Sequence, residues 1–184
     1  MDRVLRRHAV RYVVVGGQAV ARHAATATQD VDVMVTTDDY REAVRKLAED
    51  DGLTKAWDGG AVTRFGLRSL PGVPLDVIDA SAFAGQRSGA EFFEYLEREG
   101  SAELGGVRYA SAEVVWYTRL LTKRWRAYAE KIVTNVIDGL DAGLLGRVEE
   151  LGRRFGTDAT LEARIAYVRE ALRRPELQGL GAGP

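Results

Sequence analysis

The sequence predicts an α+β fold: a mixed β-sheet flanked by helices, with a helical C-terminal half. Three observations predict it. Short apolar runs at 12–15, 31–35, 61–69 and 73–78 are bounded by turn residues, which is the pattern of strands. Asp58-Gly59-Gly60 and Pro71-Gly72 join two of these runs so tightly that their partners are antiparallel, which excludes a purely parallel, doubly wound sheet. From Ser111 onward the apolar residues recur at helical spacing instead. The expected division is an α/β core over 1–110 and a helical region over 111–184 packed on it.

Along the chain, residues 2–9 read as a first helix with Asp2 as its N-cap. The strand at 12–15 runs into Gly16-Gly17, a short helix and a polar loop, and then the strand at 31–35. Thr36-Thr37-Asp38-Asp39 opens a helix over 38–49, with Tyr40, Ala43, Val44 and Leu47 on one stripe. A short strand at 53–57 precedes the two turn-linked strands. Residues 81–89 read as a polar loop leading into a helix at 90–98, and SAELGGVRYA as a hairpin turned at Gly105-Gly106. Ser111 is the expected N-cap of a long helix to about Trp125, followed by helices at 128–140, 142–155 and 158–174.

Composition narrows the function classes. With 46% hydrophobic and 29% charged residues this is an ordinary globular chain, and a net charge of −1 without a basic tract advertises no polyanion partner. The absence of cysteine removes disulfides, thiolate catalysis and zinc–thiolate sites together. The apolar run near Tyr12 is far too short to span a membrane and no cleavage site follows it, so a cytoplasmic protein with no membrane partner is expected.

The candidate site lies in YVVVGGQAVARHAATATQDVDVMV, residues 12–35. Alternation along a strand puts Asp30 and Asp32 on one face and Val31, Val33 and Val35 on the other. Two carboxylates so close repel unless a cation sits between them, and an oxygen-only donor set suits a hard ion such as magnesium. Gly16 and Gly17 let the backbone approach a ligand, and amides opening a helix at Gln18 would face an anion. The competing reading is an edge strand with its polar face in solvent. Trp57, Trp116 and Trp125 read as core or interface residues.

These residues carry a resemblance. Val15-Gly16-Gly17 followed by Asp30-Val31-Asp32-Val33 resembles the signature of the polymerase-beta-type nucleotidyltransferase superfamily, in particular its minimal prokaryotic members. Those include toxins of type IV toxin–antitoxin systems and small antibiotic nucleotidyltransferases. The resemblance implies a nucleotidyltransferase-like sheet, two magnesium ions and a nucleoside triphosphate such as ATP. It also implies transfer of a nucleoside monophosphate to an acceptor hydroxyl on an RNA end, a protein or a small molecule, and leaves room for an antitoxin partner. A third carboxylate is implied on a neighbouring strand, where PLDVID offers Asp76 and Asp79. Period-two alternation favours Asp76, because Val73, Leu75 and Val77 form the more apolar face with Asp79, and Asp79 stands where turn and cap duties are common. Lys131, in AEKIVTNVIDGL, is the implied phosphate contact beside Gly16, Gly17 and Gln18. Thr26 stands where relatives often carry Arg, which favours the alternative of a nucleotide-binding regulator that keeps the fold without turnover; a third reading is an interaction module that works through its helical half.

Overall fold

The structure, a computed structural model, describes residues 2–20, 29–129, 143–156 and 159–173. The chain divides into two compact units, Met1–Ser111 and Ala112–Pro184. The first is built on a seven-stranded mixed sheet of order β3-β4-β5-β2-β1-β7-β6. Its strands are β1 Val13–Val15, β2 Val31–Val35, β3 Leu53–Asp58, β4 Val62–Leu67, β5 Pro74–Asp79, β6 Ser101–Leu104 and β7 Val107–Ala110. β2 lies between β1, its antiparallel neighbour, and β5, its parallel one. It is a central strand, so the edge-strand reading of Asp30 and Asp32 does not hold.

Helices α1 (Asp2–Arg7) and α3 (Thr37–Ala48) supply Leu5, Tyr40, Ala43 and Leu47 to a core that also holds Val14, Val33, Val35, Phe65, Leu75 and Val77 from the sheet. The alternation read from the sequence is the cause: valines of β2 go to this layer and the aspartates to the other face. Helix α2 (Gly16–Val20) follows β1 directly and contacts β1, β2 and β7. The β6–β7 turn places Gly105 and Gly106 at φ +58° and +78°, the left-handed pair that a tight hairpin requires.

The expected loop at 81–89 is instead the first half of helix α4, Ser81–Arg98. Two glycines made it look like a loop, but both ends of that stretch are held. The Ser81 amide donates to Asp79 Oδ1 at 2.8 Å. At Gly89 a Cβ would lie 2.2 Å from Thr37 Oγ1, so the helix meets the start of α3 too closely for any side chain. Farther along, Phe92, Phe93 and Leu96 are buried and carry the rest of the helix.

In the second unit, α5 (Ala112–Leu121), α6 (Leu144–Phe155) and α7 (Ala159–Leu172) contact one another. Leu144, Leu145, Val148, Leu151 and Phe155 form the buried stripe of α6, and Leu161, Ile165 and Val168 that of α7. The predicted helix from Ser111 to Trp125 stops early, at Leu121. Arg164 on α7 donates to the Leu120 carbonyl, and the Thr122 hydroxyl turns back on the Arg119 carbonyl at 2.9 Å. Both take up carbonyls that a longer helix would use. Ser111 does not cap; its hydroxyl is buried without a hydrogen-bond partner among the described residues. Trp116 is buried and Trp125 packs edge-on against Tyr167 at 5.4 Å, whereas Trp57 is 56% exposed and is not a core residue. The helix expected at 128–140, with Lys131, lies for the most part outside the described residues.

Near the start of β3, Asp50 is buried and accepts from His8 Nε2 at 2.6 Å and the Gly52 amide at 2.8 Å, with Arg7 at 3.3 Å. The His8 bond, then the Gly52 bond, hold its carboxyl below the usual range. A depressed carboxyl contributes stability that is complete above its unfolded value, about pH 4, and is lost as the pH falls further. Asp50→Asn should therefore lower unfolding free energy by about 1.5–3 kcal/mol at pH 7. Measured by urea denaturation, the gap between variant and parent should shrink below pH 4.

Candidate active site

Asp32 sits on the central strand β2, and the register of the sheet fixes its neighbours. It is paired with Val15 of β1 on one side and Asp76 of β5 on the other. Asp76 is in turn paired with Arg64 of β4, and Arg64 with Trp57 of β3. Paired residues share a face, so Trp57, Arg64, Asp76 and Asp32 make one row across four strands. Asp30 stands two positions before Asp32, just outside β2. One carboxylate oxygen from each of Asp30, Asp32 and Asp76 lies within 4.8 Å of the others.

Gly16, at φ +61°, is where the glycine turn and the aspartates meet. A Cβ there would come within 1.9 Å of Asp32 Oδ2 and 2.6 Å of its carboxyl carbon. Only glycine leaves room for the Asp32 carboxylate at that position, and it adopts the left-handed backbone without the strain a side chain would add. The spacing between the two motifs thus has a physical basis: β1 and β2 are antiparallel neighbours, and the end of β1 abuts the start of β2. Gly17 and Gln18 are half-buried in the first turn of α2.

Arg64 is the residue that sequence reasoning missed. Its Nε donates to Asp76 Oδ1 at 2.7 Å and its Nη2 to Oδ2 at 2.6 Å, a two-pronged contact. That bond raises the guanidinium above its ordinary pKa, partial burial opposes the rise, and the charges of Asp76, Asp30 and Asp32 add to it. In sequence an arginine in a strand reads as a solvated residue. The available signal was the position of Arg64 and Asp76, which stand symmetrically about Leu70 in the β4–β5 connection.

Asp79 is placed elsewhere. It is buried on the α3 side of the sheet, where its Oδ1 accepts from Thr37 Oγ1 and from the Ser81 amide, both at 2.8 Å. This joins the end of β5 to the starts of α3 and α4. Among the described residues the donor set of the cluster is three carboxylates, which fits a hard divalent cation such as magnesium. Among the described residues no helix is long and apolar enough to cross a membrane.

Comparison with known proteins gives likeness in solved structures alone. No protein-family model and no curated protein matches the chain. The solution structure of the antibiotic-resistance factor ANT(2″)-Ia is 15% identical, over 95% of this chain and 90% of that one, with a TM-score of 0.48. A crystal structure of ANT(2″)-Ia in complex with adenylyl-2″-tobramycin is 14% identical over 92% of each chain, TM-score 0.46. A Helicobacter pylori protein provisionally described as a nucleotidyltransferase is 11% identical, over 93% of this chain and 94% of that one, TM-score 0.40. These are similarities of chain path, and the chemistry of the site rests on its own geometry.

Two substitutions separate the cluster from its supports. Gly16→Ala should cost at least about 1–2 kcal/mol from the left-handed backbone alone, and more because Asp32 must move. Asp79→Asn should cost a similar ~1–2 kcal/mol through the weakened cap, yet leave any response to divalent cations unchanged. Thermal denaturation with and without magnesium reads both effects.

Proposed function

We propose that this protein is a magnesium-dependent nucleotidyltransferase that moves a nucleoside monophosphate from a nucleoside triphosphate to an acceptor hydroxyl. One observation carries the reading: Asp30, Asp32 and Asp76 converge within 4.8 Å beside a glycine turn that makes room for Asp32. Three carboxylates held this close call for a cation, and a glycine turn opening a helix is a place for phosphate. Asp30, Asp32 and Asp76 would hold the metal, and the backbone of Gly16, Gly17 and Gln18 the phosphates. Lys131, as a further phosphate contact, belongs to this proposal on its sequence context alone.

Bound magnesium supplies charge neutralisation of the triphosphate and acidifies the acceptor hydroxyl. The acceptor oxygen forms a bond to the α-phosphorus while the bond to the bridging oxygen breaks, and pyrophosphate leaves with that electron pair. The hydroxyl proton passes to Asp76 or to water. The chain's own contribution is mostly placement, which the sheet provides by fixing Asp32 and Asp76 on adjacent strands. The acceptor is defined here by its hydroxyl alone, whether on an RNA end, a protein or a small molecule.

The test is a thermal-shift titration followed by transfer from labelled nucleoside triphosphates. Magnesium and ATP together should stabilise the parent by about 2.7 kcal/mol at a hundred-fold excess over the dissociation constant. The Asp30→Asn/Asp32→Asn variant should fold with equal or higher metal-free stability and show none of this gain. A retained gain, or unchanged transfer by the double variant, would falsify the reading.

A further inference from the structure

β5 lies between β2 and β4, so Asp76 has Asp32 on one flank and Arg64 on the other. Both oxygens of its carboxylate are engaged by the guanidinium, at 2.7 and 2.6 Å. A carboxylate has about four acceptor positions in all, so room for a further ligand remains. Two roles for Arg64 are then physically possible, and they have opposite signs. As a support that orients Asp76 for a metal, its removal would weaken metal binding about 10–100-fold. As a positive charge beside the metal, its removal would tighten it.

The geometry decides between them. Asp76 needs little orienting: it is 7% exposed and sits inside a strand paired on both sides. Arg64 has 44% of its side chain exposed and can swing away, whereas Asp76 cannot. A divalent ion on an Asp76 oxygen would lie roughly 5 Å from the guanidinium. Repulsion between two and one positive charges at that distance is worth about ten-fold in affinity even at the dielectric of water.

Building on the metal reading above, we propose that Arg64 is the resident counter-ion of the carboxylate cluster and competes with the divalent cation for Asp76. It neutralises part of the charge of Asp30, Asp32 and Asp76 in the metal-free protein, and it surrenders that contact as the metal binds. Arg64 therefore sets the metal affinity of the site by its charge, without being a ligand.

The experiment uses Mn2+ as the probe, titrated into the full chain and followed by the paramagnetic resonance signal of free Mn2+, with folding checked by circular dichroism. Arg64→Gln should bind Mn2+ about ten-fold more tightly than the parent. Arg64→Lys, which keeps the charge, should stay near the parent, and adding Asp76→Asn to Arg64→Gln should abolish the gain. Equal or weaker binding by Arg64→Gln, with the parent binding normally, overturns the role of Arg64 and leaves the metal site standing. Absence of binding in the parent and in Arg64→Gln alike overturns the metal reading and this inference with it.

Discussion

Three carboxylates within 4.8 Å of one another are the constraint around which the first unit is arranged. Left to itself such a cluster would spread apart, because each charge raises the cost of the next. The backbone register sets where its members stand, and the Arg64 guanidinium offsets part of their charge. Asp32 and Asp76 occupy paired positions on β2 and β5, and neither strand can slip by one residue without sending its apolar set to the wrong face. Val33, Val35, Leu75 and Val77, all fully buried, enforce that register from the opposite side of the sheet. The charged face is thus positioned by hydrophobic burial on the other one.

The two aspartates of β5 illustrate how one strand serves both faces. Asp76 looks toward the cluster and Arg64; Asp79, three residues on, faces α3 and bonds the Thr37 hydroxyl and the Ser81 amide. An odd separation within a strand reverses the side. Asp79 has hydrogen-bond donors for its oxygen and a structural task at the junction of β5, α3 and α4. Asp76 has a cation across the strand. Identical side chains thus acquire different chemistry from their parity alone.

Much of this was legible in the sequence, for reasons that can be named. β2 was readable because Asp-Val-Asp-Val alternates cleanly, and the β4–β5 pair because Pro71-Gly72 forces a reversal. The link between Gly16 and Asp32 was readable only as a pattern; its cause is a contact in the fold that admits no Cβ. What the sequence hid was tertiary. The N-terminal half of α4 looks like a loop because Gly85 and Gly89 lower helix propensity, while the Asp79 cap and the close approach to Thr37 come from elsewhere in the chain. Arg64 was missed because its partner follows from the β4–β5 register and not from its own sequence neighbours. The early end of α5 depends on Arg164, far along the chain.

Trp57 shows how a single irregularity changes what borders the site. In the β3–β4 pair, Lys55 opposes Phe65, so a regular ladder would set Ala56 against Arg64 and Trp57 against Thr63. The register shifts between Lys55 and Trp57, and Trp57 comes to oppose Arg64 instead. A bulge inserts one residue, and one residue reverses the face. The indole therefore lies on the charged side of the sheet, over Gly59, where a Cβ would fall 2.0 Å from the ring. β3 is also an edge strand with Thr54 to Asp58 exposed, and the bulge together with the Lys55–Asp58 ion pair at 2.6 Å makes it a poor template for a foreign strand. The device that blunts the edge is the same one that ends the row of Asp32, Asp76 and Arg64 in an exposed aromatic ring.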